Sequence, residues 1–462
     1  MPRPNIVLIL ADDMGYGDFG ALNGGLSQTP AIDQLMREGV CLTQHYAGSP
    51  VCAPSRAALL TGRWPHRTGV VDTLEGRGLD RLRLDERTLG DHLQAAGYAT
   101  GLVGKWHLGA LDPRYHPNRR GFDEFAGFRG GWQDYYRWRL DRNGAFEPAD
   151  GRYLTDVITD EAIGFIRRHR REPFLLHVAY NAPHFPHQAP DEDLAPFVAD
   201  GRFTRSVSLI YAMLRRMDRG VGRILETLDA GGLAENTIVM FTSDNGPEFG
   251  GEVDVCTTRF NSGFNGAKGT TYEGGIRVPG LLRWPAGLDG GRVGHEMAHF
   301  TDWLPTLLAA AGAAPASGSL PLDGHDLLPL LRDEAPSPTE RMYWQWNRYT
   351  PVITSNAGMR QGPWKLVRPA ISEAMTMTQA DIDMDTALKY APETIDDIAR
   401  GPEPAREIPP APAPLLFNLE DDLGEERSVA GEHPEVTGRM LRDLEAWFAE
   451  AWTAEAAARA ER

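Results

Sequence analysis

The stretch SPVCAPSRAALLTGR, residues 49–63, contains the most informative pattern in this chain. Pro54 suits the first turn of a helix, because the N–H that proline lacks has no partner there. We therefore expect Cys52 to lie at a helix N-terminus, where free backbone N–H groups and the helix dipole favour a bound anion. The alternative is the usual fate of a cysteine, a buried and inert side chain.

An apolar run rich in β-branched residues and leucine, residues 5–10, precedes this stretch and leads into Asp12 and Asp13. Such a run predicts a buried strand whose carboxyl end opens onto a site. Similar runs predict strands at 98–103, 174–180 and 237–242, and helical patterns lie between or after them at 85–96, 155–170, 205–229 and 302–311. The alternation predicts an α/β fold with a large mixed, mainly parallel sheet sandwiched by helices.

The pattern changes near residue 315, where glycine, proline and serine become frequent. Short strands are predicted at 342–347, 364–368 and 415–419, and a terminal helix at 434–459. We therefore divide the chain into an α/β domain at 1–315 and a smaller C-terminal α+β subdomain at 316–462, with a small antiparallel sheet and a terminal helix. Residues 369–414, acidic and proline-rich, are open to three interpretations: a lid, an oligomer contact or a mobile insertion.

Composition excludes several classes of protein. The 462 residues carry a formal net charge of −17, which disfavours nucleic acid as a partner. No segment approaches the roughly 18 apolar residues of a membrane span. The first apolar run is too short for a secretory signal, so a cytoplasmic location is expected. Three cysteines do not suggest a disulfide framework.

The motif around Cys52 resembles the sulfatase signature Cys-x-Pro-Ser-Arg with its Leu-Thr-Gly-Arg continuation. Further motifs of that family follow in the expected order: Asp12-Asp13, Gly104-Lys105-Trp106-His107-Leu108-Gly109, Ala182-Pro183-His184, Ser243-Asp244-Asn245-Gly246 and Gly266-Ala267-Lys268-Gly269. The chain thus resembles the type I, formylglycine-dependent sulfatases, of arylsulfatase type. The resemblance implies the alkaline phosphatase-like fold and the hydrolysis of sulfuric esters.

The resemblance also implies one divalent metal, held by Asp12, Asp13, Cys52, Asp244 and Asn245. The aspartates and the asparagine supply hard oxygen ligands just past two predicted strands, where ligands gather in open α/β sheets. Calcium is the first choice, and magnesium or manganese would accept the same oxygens. Taken singly, each of these acidic pairs would instead be typical of a turn or a helix cap.

Cys52 would be converted into formylglycine by a maturation enzyme that reads Cys52, Pro54 and Arg56. A thiol is poorly suited to this hydrolysis, because a covalent thiosulfate still requires water to attack a crowded, anionic sulfur. In an aldehyde hydrate, one metal-coordinated, deprotonated hydroxyl would attack sulfur and expel the alcohol. The other hydroxyl would then lose its proton, and C–O cleavage would eject sulfate and regenerate the aldehyde.

The resemblance assigns catalytic roles to other motif residues. Arg56 would hold the hydrate and offset the charge of the metal ligands, and Lys105 would hold the hydrate and a sulfate oxygen. His107 would be the base for the second hydroxyl, while His184 and Lys268 would bind sulfate oxygens and protonate the leaving oxygen. Lys105 and His107 would point to one face if their segment were extended. A structural or peripheral role is expected for His187, and His45, His66 and His92 lie in no comparable motif.

Three segments are candidates for substrate contacts: residues 132–142, 249–264 and 344–349. Their aromatic rings would stack on an aryl or sugar ring and their arginines would hold a second anion, unless they simply pack beneath loops. The expected partner is a small aryl or sugar sulfate, with no nucleic acid and no membrane, and a homo-oligomer stays open. The alternatives are a phosphonate monoester hydrolase or phosphodiesterase of the same superfamily, and a non-catalytic sulfate-binding relative in which Cys52 stays a thiol.

Overall fold

The structure is a computed structural model that describes residues 2–453. Its strands are β1 Asn5–Asp12, β2 Val40–Tyr46, β3 Ala99–Lys105, β4 Glu124–Phe128, β5 Arg139–Arg142, β6 Ala145–Pro148, β7 Phe174–Pro183, β8 Thr237–Ser243, β9 Gly280–Arg283, β10 Arg292–His299, β11 Arg341–Gln345, β12 Ala357–Gln361, β13 Trp364–Arg368 and β14 Leu415–Asn418. Its α-helices are α1 Gly20–Asn23, α2 Pro30–Glu38, α3 Cys52–Thr61, α4 Pro65–Thr68, α5 Leu89–Ala95, α6 Leu154–His169, α7 Asp191–Asp200, α8 Arg205–Ala230, α9 Glu273–Ile276, α10 Trp303–Ala311, α11 Leu328–Leu331, α12 Ser372–Met375, α13 Gln379–Tyr390 and α14 Pro434–Ala451.

The large sheet has the strand order β10-β2-β9-β8-β1-β7-β3-β4-β5-β6. β1 pairs in parallel with β7 and β8, and β3 pairs in parallel with β7 and β4. β9 runs antiparallel between β2 and β8, and the β5–β6 hairpin is antiparallel at one edge. The predicted α/β fold class, with a mixed and mainly parallel sheet, is confirmed.

Alternate side chains of β1 contribute to two hydrophobic cores, one on each face of the sheet. Val7 and Ile9 pack with residues of α6 and α8, whereas Ile6 and Leu8 pack with residues of α3, α5 and α10. Because helices cover both faces, the strand is apolar at nearly every position.

The small sheet has the order β11-β12-β13-β14, and all its pairs are antiparallel. Leu366 on β13 and Leu444 on α14 share one core there. Buried Lys365 links this sheet to the rest of the molecule, with its Nζ 2.8 Å from a Glu273 oxygen and 3.3 Å from a Glu425 oxygen. Residues 327–331, which follow the proposed boundary, pack into a core of the large sheet. The division between residues 315 and 316 therefore stays a prediction.

Several predicted bounds differ from the observed ones. α5 begins at Leu89 rather than residue 85, because Thr88 and Asp91 form a capping box there. The terminal helix ends at Ala451, and residues 454–459 of the predicted helix lie outside the described residues. The segment 369–414 contains α12 and α13. No helix within residues 2–453 has the length and apolarity needed to cross a bilayer.

Candidate active site

Four neighbouring parallel strands, β8, β1, β7 and β3, end at the same edge of the large sheet. Asp12 and Lys105 are the last residues of β1 and β3, while Asp244 and His184 directly follow β8 and β7. Carboxyl ends of parallel strands are where ligands bind in open α/β sheets. The chain therefore brings polar residues from four distant segments to one edge.

Cys52 is the first residue of α3 and is buried, as the proline pattern predicts for a helix N-terminus. Its sulfur lies within 4.8 Å of carboxylate oxygens of Asp12 and Asp244. Burial raises the pKa of the thiol above its ordinary value. The unmodified side chain is therefore a protonated, weakly nucleophilic thiol at neutral pH.

A cluster of oxygen donors lies beside Cys52. Asp12, Asp13, Asp244 and Asn245 are all buried, and Asn245 Nδ2 donates a 2.7 Å hydrogen bond to Asp13 Oδ1. The Oδ1 atom of Asn245 is buried and has no hydrogen-bond partner. Carboxylate oxygens together with an unpaired buried amide oxygen form the kind of donor set that a hard divalent cation prefers. The residues present therefore fit a metal ion.

Three cations balance the three carboxylates of this cluster. Lys105 Nζ lies 2.9 and 2.8 Å from the two carboxylate oxygens of Asp12. The Nε and Nη2 atoms of Arg56 lie 2.9 and 2.7 Å from Asp244 Oδ2. A third cation completes the set, with Lys268 Nζ 2.7 Å from Asp13 Oδ2. A divalent cation would add positive charge that a bound anion offsets.

The backbone at His107 is not extended, so alternation along a strand does not decide where its side chain points. Its φ of 57° is in the left-handed region, as is that of Asp13 at 65°. Such a conformation costs a non-glycine residue about 1–3 kcal/mol and recurs at functional sites. Lys105 nevertheless contacts Asp12, and His107 faces the pocket. Burial, aided by the charge of Lys105, lowers the pKa of His107 well below its ordinary value.

His184 and Lys268 flank Asp13 on its other side, with His184 Nε2 3.6 Å from Asp13 Oδ2. Burial, followed by the charge of Lys268, lowers the pKa of His184 well below its ordinary value. Burial opposes the charge on Lys268, but Asp13 and Glu248 together raise the pKa of its ammonium. In the free chain, the imidazole is neutral and the ammonium is charged at pH 7.

A pocket of about 380 Å³ opens above these groups. Cys52, His107, His184 and Lys268 line it, together with the wall residues Thr73, Leu74, Glu75, Trp132, Phe185, Glu248, Phe249, Trp346, Arg348, Met377 and Asp385. Met377 and Asp385 come from the segment 369–414. That segment therefore forms part of the pocket wall in this structure.

The three candidate substrate segments each contribute residues to this wall, but some of their aromatic and arginine side chains do not reach it. Tyr135 is buried, and its hydroxyl lies 2.7 Å from the carbonyl oxygen of Asn181 and 2.9 Å from that of His184. Arg259 is also buried and pairs with Asp18 at 2.6 Å. These two residues support the site from behind rather than facing a substrate.

Glu75 and Lys389 are site residues that sequence reasoning missed. Glu75 Oε1 lies 3.9 Å from His107 Nε2, accepts a 2.5 Å hydrogen bond from the N–H of Gly131, and pairs with the buried ammonium of Lys389. Neither residue belongs to a recognisable motif, and 313 residues lie between them in the sequence. Of the other histidines considered above, His45, His66 and His92 have hydrogen bonds to residues outside the pocket wall, and His187 does not line it.

Comparisons with known proteins agree with this geometry. The family model described as Sulfatase matches residues 4–313, and that described as N-sulphoglucosamine sulphohydrolase, C-terminal, matches residues 264–387. Steryl-sulfatase of Mus musculus is 34% identical, over 100% of this chain and 82% of that protein. Arylsulfatase A of Bos taurus is 33% identical, over 95% of this chain and 86% of its own length. The crystal structure of Ps i-CgsB in complex with k-i-k-neocarrahexaose is 31% identical, covers 97% of this chain and 93% of that one, and has a TM-score of 0.79. This chain therefore belongs to the sulfatase family, and it is an enzyme that hydrolyses sulfate esters.

Proposed function

We propose that this sulfatase cleaves sulfate monoesters by means of a formylglycine derived from Cys52 and a bound divalent metal. One observation carries the proposal: a cysteine at a helix N-terminus lies within 4.8 Å of two buried carboxylates, beside an amide oxygen that has no partner. A helix N-terminus favours an anion, and hard oxygen donors favour a divalent cation. The site around Cys52 therefore suits both a sulfate group and a metal ion.

Asp12, Asp13, Asp244 and Asn245 would hold the metal, together with the modified side chain at position 52. We propose calcium, and magnesium or manganese would suit the same oxygens. When bound, the metal would supply Lewis-acid polarisation of the sulfate group and of the nucleophile.

A formylglycine at position 52 would supply, as its hydrate, one hydroxyl that attacks sulfur and a second whose deprotonation expels sulfate. Arg56 and Lys105 are already held by Asp244 and Asp12, so their donors are oriented before substrate arrives. His107, whose buried imidazole is neutral, would accept the proton of the second hydroxyl. His184 and Lys268 would bind sulfate oxygens and assist the leaving oxygen.

We propose an aryl or sugar sulfate as the substrate. Trp132, Phe185, Phe249 and Trp346 give the pocket wall aromatic faces on which either kind of ring can stack. Two relatives are named steryl-sulfatase and arylsulfatase A, and Ps i-CgsB was crystallised with k-i-k-neocarrahexaose.

Comparing phenyl sulfate, a phosphate diester and a phenyl phosphonate monoester tests the reaction class. The buried donors Lys105 and His184 and the partly buried Lys268 suit three small non-bridging oxygens, whereas the diester and the phosphonate each replace one oxygen with a bulkier group. We expect kcat/KM to be roughly tenfold or more higher for the sulfate. A higher value for the phosphonate or the diester would favour the alternative hydrolase.

The variant His184→Ala tests protonation of the leaving group. If His184 is the general acid, sulfate esters of poorly acidic alcohols should lose about 10²–10⁴-fold in kcat, whereas nitrophenyl sulfate should lose far less. His187→Ala, three residues along and outside the pocket wall, is the matched control. An equal loss for both leaving groups would leave His184 only the role of binding sulfate.

A further inference from the structure

A second cleft, of about 300 Å³, adjoins the catalytic pocket and shares Glu75 and Trp132 with it. The ring centroid of Trp132 lies 5.1 Å from that of Phe185, which lines the catalytic pocket. On its other side, the ring lies 5.5 Å from that of Tyr390, which lines the second cleft. Trp132 is therefore the wall common to both cavities, and α13 borders both.

The second cleft is basic, although the chain carries a net charge of −17. Its charged lining residues are the basic Arg129, Arg137, Arg139 and Lys389 and the acidic Glu75 and Glu393. Lys389 pairs with Glu75, and Arg137 pairs with Asp134 at 3.1 Å. Among the described residues, no carboxylate forms an ion pair with Arg139.

Two of these arginines share one exposed aromatic ring. The guanidinium carbon of Arg139 lies 4.1 Å from the ring centroid of Phe146, and that of Arg129 lies 5.8 Å from the same centroid. Phe146 is 47% exposed, so this arrangement faces solvent rather than the core. Burial and the nearby charge of Arg139 lower the pKa of Arg129, although Asp141 opposes this effect. Arg129 is already paired with Asp141 at 3.4 Å, so Arg139 is the better placed of the two to receive an anion.

The catalytic pocket itself offers little for a second anion. Its wall carries the carboxylates Glu248 and Asp385, and the guanidinium of Arg348 is already 3.0 Å from an oxygen of Asp72. A second anionic group on the ring that carries the reacting sulfate would face these carboxylates. An anionic group on a neighbouring ring could instead reach past Trp132 to the arginines.

We propose that the second cleft binds the anionic group of the adjacent sugar ring in an acidic oligosaccharide whose terminal sulfated ring occupies the catalytic pocket. The inference rests on the proposed function, since it assumes that the reacting sulfate lies at Cys52. Arg137 and Arg139, held against the rings of Tyr390 and Phe146, bind the anion, a sulfate or a carboxylate. The enzyme's substrate class is then a charged oligosaccharide rather than an isolated monosaccharide.

Kinetics on matched substrates test this proposal. Three disaccharides would carry the same terminal sulfated ring, with a neutral, a uronate or a sulfated second ring, and 4-nitrophenyl sulfate would serve as the reference. We expect the acidic second rings to give the higher kcat/KM, and Arg139→Ala to lower the ratio of acidic to neutral disaccharide about tenfold or more. Comparing the uronate with the sulfate shows which anion is preferred. Arg167→Ala, an exposed arginine on α6 outside both cavities, should leave the ratio unchanged.

An unchanged ratio in Arg139→Ala, or an equal loss on every substrate including 4-nitrophenyl sulfate, would overturn the proposal. Calorimetric binding of a sulfate-free, uronate-containing disaccharide to the intact chain separates the cleft from the chemistry. Binding that weakens with added salt and with Arg139→Ala supports the cleft even if no sulfate ester is cleaved, in which case the proposed function fails. Hydrolysis of 4-nitrophenyl sulfate without any binding of this disaccharide would overturn the proposal for the second cleft and leave the proposed function standing.

Discussion

Cys52→Ala is expected to abolish sulfate ester hydrolysis, lowering kcat by at least about 10³-fold, because alanine lacks the thiol that maturation would convert into the aldehyde. The fold should survive, because the thiol is small and no side-chain cap at the start of α3 is lost with it. Initial rates on 4-nitrophenyl sulfate, with circular dichroism as the check of folding, measure the effect. Cys52→Ser would keep one hydroxyl but not the second, so a single stalled turnover is expected.

Peptide chemistry distinguishes the aldehyde mechanism from a thiol that stays unmodified. Trypsin should release residues 38–56, which also contain Cys41 as an internal control. Cys41 lies on β2, and burial raises its pKa to about 11, so it is unreactive in the folded chain but alkylated after denaturation. Position 52 should resist alkylation and react with a hydrazide. Two alkylated cysteines in a sample with full multiple-turnover activity would refute the aldehyde mechanism. A group other than a formylglycine at position 52 would then have to be the nucleophile.

Asp244→Ala is expected to abolish turnover and to reduce the bound divalent metal. Asp244 offers carboxylate oxygens beside Asp12 and Cys52, and it also neutralises the buried guanidinium of Arg56. Its removal leaves that charge with only the longer, 3.6 Å ion pair to Asp12, and loss of one partner of a buried pair costs about 3–5 kcal/mol in stability. Elemental analysis for calcium, magnesium and manganese, together with activity before and after chelation, measures the effect. Full activity of the variant after chelation would show that the metal site is misassigned.

Two further variants separate the metal from the ion pair. Asp244→Asn keeps an oxygen for Arg56 but loses the negative charge, so metal content should fall while much of the lost stability returns. Asp218→Asn removes a buried carboxylate on α8, where it accepts hydrogen bonds from the N–H groups of Ala31 and Ile32. That change should not reduce metal content, because Asp218 lies outside the cluster.

Much of the fold could be predicted because periodicity is a local property of the chain. The buried strands β1, β3, β7 and β8 are continuous apolar runs, and their predicted bounds differ from the observed ones by at most three residues at either end. The β5–β6 hairpin could not be predicted, since these four-residue segments carry charged or exposed side chains. Their pairing depends on neighbours rather than on pattern.

The sequence by itself determined the family, the sheet class and the motif residues, because contiguous motifs and apolar runs can be recognised without knowing how distant segments pack. Only the tertiary structure decided that Lys389 pairs with Glu75 beside His107, that Arg259 supports the site rather than facing substrate, and that α13 borders two cavities. Such contacts join residues separated by hundreds of positions, and no local pattern encodes them. Their energies depend on burial and on which charges share a low-dielectric space, both of which exist only after the two sheets have packed.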